Sequence, residues 1–324
     1  MIDFEQDSRS PDGPGGPLHR VSAVVVSYWT GPSFRECLGA LLGQEGLLEV
    51  IVVDNGNDAA TRMWLGDLAA ADARIRLLSP GRNIGFAAGC NLGVSAARGE
   101  YLAFVNPDLV TPPGTLTTVL RCLAANPGAW LAGGRLLNMD GSEQRGGRRE
   151  ILTPWRAFIE LTRINRLFPN HPYFRRLHLY EDEGVHEVVE VPTVSGAFMM
   201  ISKTHYGAVG GMDDNLFLHF DDVDLCISII KAGGRVLYCG NAPVYHYLST
   251  SDVPQAFVEW HKARSASYYF HKHFLATYPA WVVTLISALL WLRFALISVG
   301  TLPSDLRTMF RRRRGRLAGN VTAK

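Results

Sequence analysis

Apolar residues fall along this chain in two alternating rhythms. Short, unbroken runs rich in Val and Ile recur at Val21–Tyr28, Glu49–Asn55, Ile75–Leu78 and Tyr101–Val105. Such runs predict strands buried on both faces. Between them lie stretches whose apolar residues repeat at helical spacing. Ser33–Gln44 places Phe34, Cys37, Leu38, Leu41 and Leu42 on one side, and Ala59–Ala71 and Phe86–Ala97 follow suit. Strand alternating with helix predicts an α/β fold with a Rossmann-like, mostly parallel, doubly wound sheet flanked by helices. Ligands on such sheets bind beyond the carboxyl ends of the strands, so polar residues there are the first candidates for chemistry.

The pattern loosens after Val105. Asn138–Gly141 reads as a turn, Arg145–Arg149 as an exposed basic loop, and Ile151–Leu179 as an irregular insertion of mixed helical spacing. It tightens again through a strand at Val188–Val191, the small residues Ser195-Gly196-Ala197, and apolar Phe198–Ile201. A helix over Leu225–Ala232 follows an acidic cluster, and a strand at Arg235–Tyr238 precedes His246. The chain divides into a Pro- and Gly-rich flexible lead-in over 1–20, one α/β domain over 21–275, and an apolar helix with a basic tail over 276–324. The lead-in lacks the basic and apolar regions of a signal peptide.

Three acidic sites sit at predicted strand ends or helix starts. Asp54-Asn55 closes the second strand, where Asp54 serves either as an Asx turn or as an acceptor for a base imide or ribose hydroxyl. Asn106-Pro107-Asp108 closes the fourth, where Asp108 is either a turn former or a carboxylate for a divalent ion. Asp221-Asp222-Val223-Asp224 offers either helix capping or general-base chemistry, because crowded carboxylates raise one another's pKa. The loop Arg82–Gly89 adds glycines before a helix start, a setting that suits phosphate. Composition narrows the field further. With 32 Lys and Arg against 30 Asp and Glu, nothing draws the chain to nucleic acid. The five cysteines have no CxxC spacing, so neither a disulfide framework nor a structural zinc site is expected.

Taken together, VVVSY (24–28), EVIVVDN (49–55), RNIGFAAGCNLG (82–93), ARGEYLAFVNPD (97–108), SGAFM (195–199), GGMDDNLFLHFDDVDL (210–225) and GGRVLY…VYH (233–246) resemble the inverting family 2 glycosyltransferases of the GT-A fold. Within that family they are most similar to rhamnosyltransferase-like enzymes of bacterial cell-surface polysaccharide synthesis. The resemblance implies that Tyr28, Asp54, Asn83 and Gly85 border the nucleotide, with Asn106 nearby, and that Ser195 and Gly196 line the donor-sugar pocket. It implies Asp108 and His246 as holders of Mg2+ or Mn2+. It also implies Asp222, flanked by Asp221 and Asp224, as the base that deprotonates an acceptor hydroxyl. Two positions depart from the family pattern: the DxD motif is Asn106-Pro107-Asp108, and the Glu-Asp pair is Asp221-Asp222. Choice of base among the three acids therefore stays open. The implied donor is a dTDP- or UDP-sugar, with dTDP-L-rhamnose first, and the implied acceptor is lipid-linked or a glycan. A nucleotidylyltransferase would need a Gly-rich basic loop after the first strand, and a dehydrogenase a dinucleotide fingerprint; neither is present. A catalytically silent sugar-nucleotide-binding or scaffold subunit is the alternative of a different class.

Trp281–Leu302 is almost wholly apolar and long enough to span a bilayer, but Arg293 interrupts it. A charge at that depth costs on the order of 3 kcal/mol or more. Arg307, Arg311–Arg314 and Arg316 follow. One full crossing would separate these arginines from a cytoplasmic catalytic domain. A re-entrant or interfacial helix at the cytoplasmic face of the plasma membrane is therefore expected, with a buried core helix as the alternative. The basic and aromatic run His261, Arg264, Tyr268, Tyr269, His271, Lys272 and His273 suits either an acceptor's pyrophosphate or interfacial anchoring.

Overall fold

The computed structural model describes residues 20–167, 171–174, 177–179, 185–248 and 253–321. Nearly all of the predicted lead-in therefore lies outside the described residues. The first half follows the predicted alternation: β1 (Val21–Ser27), α1 (Ser33–Leu42), β2 (Leu47–Asp54), α2 (Ala59–Ala71), β3 (Ile75–Leu78), α3 (Phe86–Ala96) and β4 (Tyr101–Val105). Next come β5 (Leu109–Val110), α4 (Thr115–Ala125), β6 (Ala129–Leu137), β7 (Arg148–Arg149) and α5 (Pro154–Thr162). The remainder comprises β8 (Val188–Glu190), β9 (Thr193–Val194), β10 (Phe198–Ser202), α6 (Lys203–Ala208), α7 (Asp221–Lys231), β11 (Arg235–His246), α8 (Gln255–Phe274) and α9 (Ala280–Val321).

The main sheet runs β3-β2-β1-β4-β10-β6-β11-β5, with β8 also on β11. Its first four strands are parallel, as the alternation predicts. Beyond them the sheet is mixed, because β10 is antiparallel to both β4 and β6. The chain reaches β10 from the carboxyl end of β4, pairing Phe198 with Val105, so it can only run back the other way. β11 is three times the length of the strand expected at Arg235–Tyr238. A register irregularity between Cys239 and Pro243 hides its continuity from a periodicity argument and carries it on to His246.

Alternate residues of β1 feed two cores, which explains its unbroken apolar run. Val21, Ala23 and Val25 join Phe34, Leu38 and Leu41 of α1 and Leu116 and Val119 of α4. Val24 and Val26 join Ala87 and Cys90 of α3 and Leu225 and Ile229 of α7. A third cluster sets the other side of α7, Val223 and Ile227, against Tyr269 and Phe270 of α8 and Val283 and Ile286 of α9. Helix α7 is thus gripped between the sheet and the C-terminal helices, and its acidic first turn is held from both sides.

At the sheet's opposite end, Glu49 is fully buried and ties several elements together. Its carboxylate accepts hydrogen bonds from Ser22 Oγ (2.7 Å), the Arg98 backbone N–H (2.7 Å), Arg98 Nε (2.9 Å) and Arg76 Nη1 (3.1 Å). Burial alone would raise its pKa; the Arg98 N–H, Ser22 and the two guanidinium groups outweigh that and hold the carboxyl below its usual range. A carboxylate of this kind stabilises the fold above its unfolded-state pKa, and the contribution fades as pH falls through the folded value. Glu49→Gln should therefore lower stability by about 1–3 kcal/mol at pH 7. In urea titrations the gap to wild type should begin to shrink below pH ~4, where the unfolded-state carboxyl gains its proton, and close as pH falls through the lower folded value.

Candidate active site

Two strand pairings assemble one floor of the site. The Asn106 N–H, just past β4, donates to Ala197 O at 2.8 Å, which places Ser195-Gly196-Ala197 beside Asn106-Pro107-Asp108. The pairing of β5 with β11 sets His246 opposite Leu109, the residue after Asp108. His246 Nε2 then lies 3.1 Å from Asp108 Oδ1, and both side chains are buried. On the other side of the ring, Nδ1 lies 2.7 Å from Gln144 Oε1. An amide oxygen only accepts, so Gln144 holds the proton on Nδ1 and fixes the ring orientation, leaving Nε2 to face Asp108. Gln144 carries no sequence signal as a functional residue. It is placed by the Leu136–Gln144 backbone hydrogen bond that returns the chain after the turn at Asn138–Gly141.

The acidic cluster occupies the first turn of α7. Phe220, not Asp221, takes the cap position, and both His219 and Phe220 adopt left-handed backbone (φ 63° and 68°). Strain of this kind at bulky residues is tolerated only where surrounding packing imposes it. Asp222 is held on both oxygens. Oδ2 accepts from the Gly196 N–H (2.9 Å) and from Arg149 Nη2, while Oδ1 accepts from its neighbour's N–H, Val223 (2.8 Å). A side chain at position 196 would bring its Cβ to a crowded 3.1 Å from Asp222 Cβ, so glycine leaves this approach free of crowding. Burial works to raise the Asp222 pKa, but the Arg149 charge and the Gly196 N–H override it and hold the carboxyl low. For Asp221, burial and the charge of Asp222 act in the same direction and push the pKa well up. Two adjacent acids thus differ in protonation: one is locked as an anion and the other favours its proton.

Arg149 corrects the reading of Arg145–Arg149 as an exposed loop. β7 pairs with β9, Arg149 Nη2 also donates to Val194 O (3.2 Å), and Arg148 is buried against Glu143 (2.9 Å). Only Arg145 remains largely exposed, loosely paired with Glu160 at 3.4 Å. A two-residue strand leaves no periodicity to detect, so the burial of Arg149 was not legible in the sequence.

Asn106, Ser195, Gly196, Asp221, Asp222 and His246 line one cavity of ≈ 580 Å3. Arg145, Arg149 and Lys262 share its wall with Leu290 and Arg293 of α9. The residues expected around the nucleotide lie at the ends of β1 and β2 and in the following loop. Asp54 Oδ1 closes a turn with the Gly56 and Asn57 N–H groups (3.1 and 2.8 Å) and Asn57 Nδ2 (2.9 Å). Asn55 clasps the Arg82–Gly89 loop through the Ile84 N–H (3.2 Å) and Gly85 O (2.9 Å), and Asn83 Oδ1 accepts from the Gly85 N–H (3.0 Å). Gly85 has φ +92°, and a Cβ there would fall 2.7 Å from Phe217 O. Its glycine is thus required where the loop before α7 docks. Tyr28 lies against Gly56. Asp224 points elsewhere: it binds Lys272 Nζ (2.9 Å) and His273 Nε2 (2.7 Å), joining α7 to α8.

The basic and aromatic run on α8 is largely committed to such contacts. Tyr268 and Lys272 hold Asp213, His261 stacks on Phe217 (4.0 Å between ring centroids), and Tyr269 is core. The cation that α8 presents to the cavity is Lys262, absent from the sequence-based set. Burial lowers its pKa, with Arg293 and Arg145 adding to the effect against Glu259. Among the described residues no group of three His, Cys, Asp or Glu could hold a metal unaided.

The profile described as Glycosyl transferase family 2 matches residues 22–188, just over half of the chain. An uncharacterized protein of Sinorhizobium fredii is 32% identical over 73% of this chain and 25% of its own length. The N-acetylglucosaminyl-diphospho-decaprenol L-rhamnosyltransferase of Mycobacterium tuberculosis is 27% identical over 70% of this chain and 76% of its own. Among solved structures, the Pyrobaculum calidifontis mannosyltransferase PcManGT, in complex with GDP-Man and Mn2+, superposes with a TM-score of 0.51 at 17% identity, covering 94% of this chain and 87% of its own. GalNAc-T7 with UDP, GalNAc and Mn2+ gives 0.54 at 13% identity, over 71% of this chain and 44% of that one. With the mixed α/β sheet and the polar cavity at the carboxyl ends of its strands, these likenesses make the chain a glycosyltransferase of GT-A fold that belongs to glycosyl transferase family 2.

Proposed function

We propose that this glycosyltransferase moves a sugar with inversion from a nucleotide-diphosphate donor to a hydroxyl of a lipid-linked or glycan acceptor. The observation that carries the reading is that Asp222, held as an anion, and His246, which contacts the buried Asp108, line one cavity. The acceptor oxygen attacks the anomeric carbon as the bond to the diphosphate breaks, and the hydroxyl proton passes to Asp222. Arg149 and the Gly196 N–H orient that carboxylate. Asp221 stays protonated beside it, which avoids a second buried negative charge. Asp224 is an anchor between helices rather than a base. Asp108 and His246 fit a divalent ion only as partial ligands, the donor's own diphosphate completing the shell; Mg2+ or Mn2+ there would offset the charge of the leaving group. Tyr28, Asp54 and Asn83 border the nucleotide at the ends of the parallel strands. The mycobacterial relative's name favours an L-rhamnosyl donor and a lipid-diphosphate-linked acceptor. The donor proposed first is dTDP-linked and a UDP-sugar next, with the acceptor at the cytoplasmic face of the membrane.

A thermal-shift panel of nucleotide sugars with and without Mn2+ tests the donor site. Stabilisation by dTDP- or UDP-sugars that is metal-dependent and lost in Asp108→Ala is expected; no response to any donor would favour a silent scaffold instead. Gln144→Leu should weaken Mn2+ binding about 10–100-fold, measured by titration in the presence of donor, because the histidine loses the partner that orients it. Removing the guanidinium raises the pKa of an ionised base beside it. Arg149→Met should therefore move the acid limb of the kcat/KM profile upward by about one pH unit or more, while Arg149→Lys retains most of the wild-type position. An unmoved limb in Arg149→Met excludes Asp222 as the titrating base.

A further inference from the structure

Helix α9 is long and apolar enough over Ala280–Pro303 to cross a membrane. Its contacts argue for a different placement. It runs antiparallel to α8 and is fastened to it along its length. Val283 and Ile286 pack on Phe270 and Phe274, and Trp291 lies edge-on to Trp260 (6.4 Å between centroids). Arg293 Nη1 meets Glu259 Oε2 at 2.6 Å. Farther on, the Asp305 carboxylate accepts from the Gln255 and Ala256 N–H groups (2.6 and 2.9 Å). It thereby caps α8 where Pro254 has no side chain to do so. The charge that interrupts the apolar stretch is thus already neutralised within the protein.

The opposite side of α9 has no partner among the described residues. Trp281, Leu285, Leu292, Leu296, Val299 and Leu302 are 48–78% exposed and recur at spacings of three, four and seven. They form a single apolar stripe ~32 Å long. Beyond it the same helix continues into Arg307, Arg311–Arg314 and Arg316, and no acidic residue follows Asp305. An apolar stripe ending in a cationic run complements an anionic lipid surface, with hydrocarbon below and phosphate beside it. We propose that α9 is a monotopic docking helix. It lies in the plane of an anionic bilayer, its Trp281–Leu302 stripe embedded and its other side fastened to α8.

The same helix contributes Leu290 and Arg293 to the cavity wall. Docking therefore holds the site about one helix diameter, ~10 Å, from the lipid surface. That consequence rests on the cavity being the transfer site; the docking itself does not.

Flotation of the full chain with vesicles of phosphatidylcholine alone, or with phosphatidylglycerol added, tests the proposal. Binding to the anionic vesicles is expected. It should fall at least ten-fold in the exposed-site variant Leu285→Glu/Leu292→Glu/Leu296→Glu, with unchanged thermal unfolding and an unchanged response to donor. Quenching by brominated lipids then separates lying from crossing, through the signal lost in Trp281→Phe and the signal gained in Leu292→Trp. In-plane docking puts both of these stripe positions at one shallow depth, whereas a crossing helix puts position 292 ~16 Å deeper than position 281 and overturns the proposal. Absence of vesicle binding, with a dimer in solution that the triple variant dissociates, would assign the stripe to a second copy of the chain and overturn it equally. Donor binding is read separately, so failure of the docking and failure of the transfer reading cannot be confused.

Discussion

The site depends on the seam where Asn106 N–H meets Ala197 O at the end of β4. That bond is where a strand arriving from the site end of the sheet turns back antiparallel. It sets Gly196 within reach of the first turn of α7 and Asn106-Pro107-Asp108 within reach of β11. Without this reversal the acidic cluster and the Asp108–His246 pair would be distant stretches of chain. A parallel strand in the same slot would present its amino end away from the ligand side.

Burial then decides how the acids behave. Asp221 and Asp222 are neighbours of the same chemical type in the same helical turn, yet they are driven in opposite directions. Two buried anions side by side are costly, and one cation cannot serve both equally. Arg149 and a backbone N–H favour the charge on Asp222, and the proton stays with Asp221. The strained backbone at His219 and Phe220 fits this picture, since it delivers α7 to the cavity with its first turn aimed at Gly196.

Helix α9, which carries the exposed apolar stripe, closes the back of α7 together with α8. Val223 and Ile227 rest on α8 and α9, and Asp224 is tied to Lys272 and His273. The C-terminal segment is consequently part of the body that positions the acids, although composition alone sets it apart as a tail. A boundary at 276 reflects the change in hydrophobicity and not a break in packing.

Much was legible in the sequence. Unbroken Val and Ile runs require strands covered on both faces, and helical spacing supplies the covers, so the parallel half followed from local pattern. Asp108, Asp222 and His246 could be singled out through the motifs that resemble family 2 glycosyltransferases, because an acid alone at a strand end or helix start reads equally as a turn or cap residue. Tertiary structure decided the rest, because the deciding contacts join residues far apart in the chain. Arg149 reaches across 73 positions to Asp222, and His246 across 102 to Gln144. No periodicity records such a pairing. The same holds for Arg293, a liability when read along the chain and an ordinary ion pair once Glu259 stands beside it.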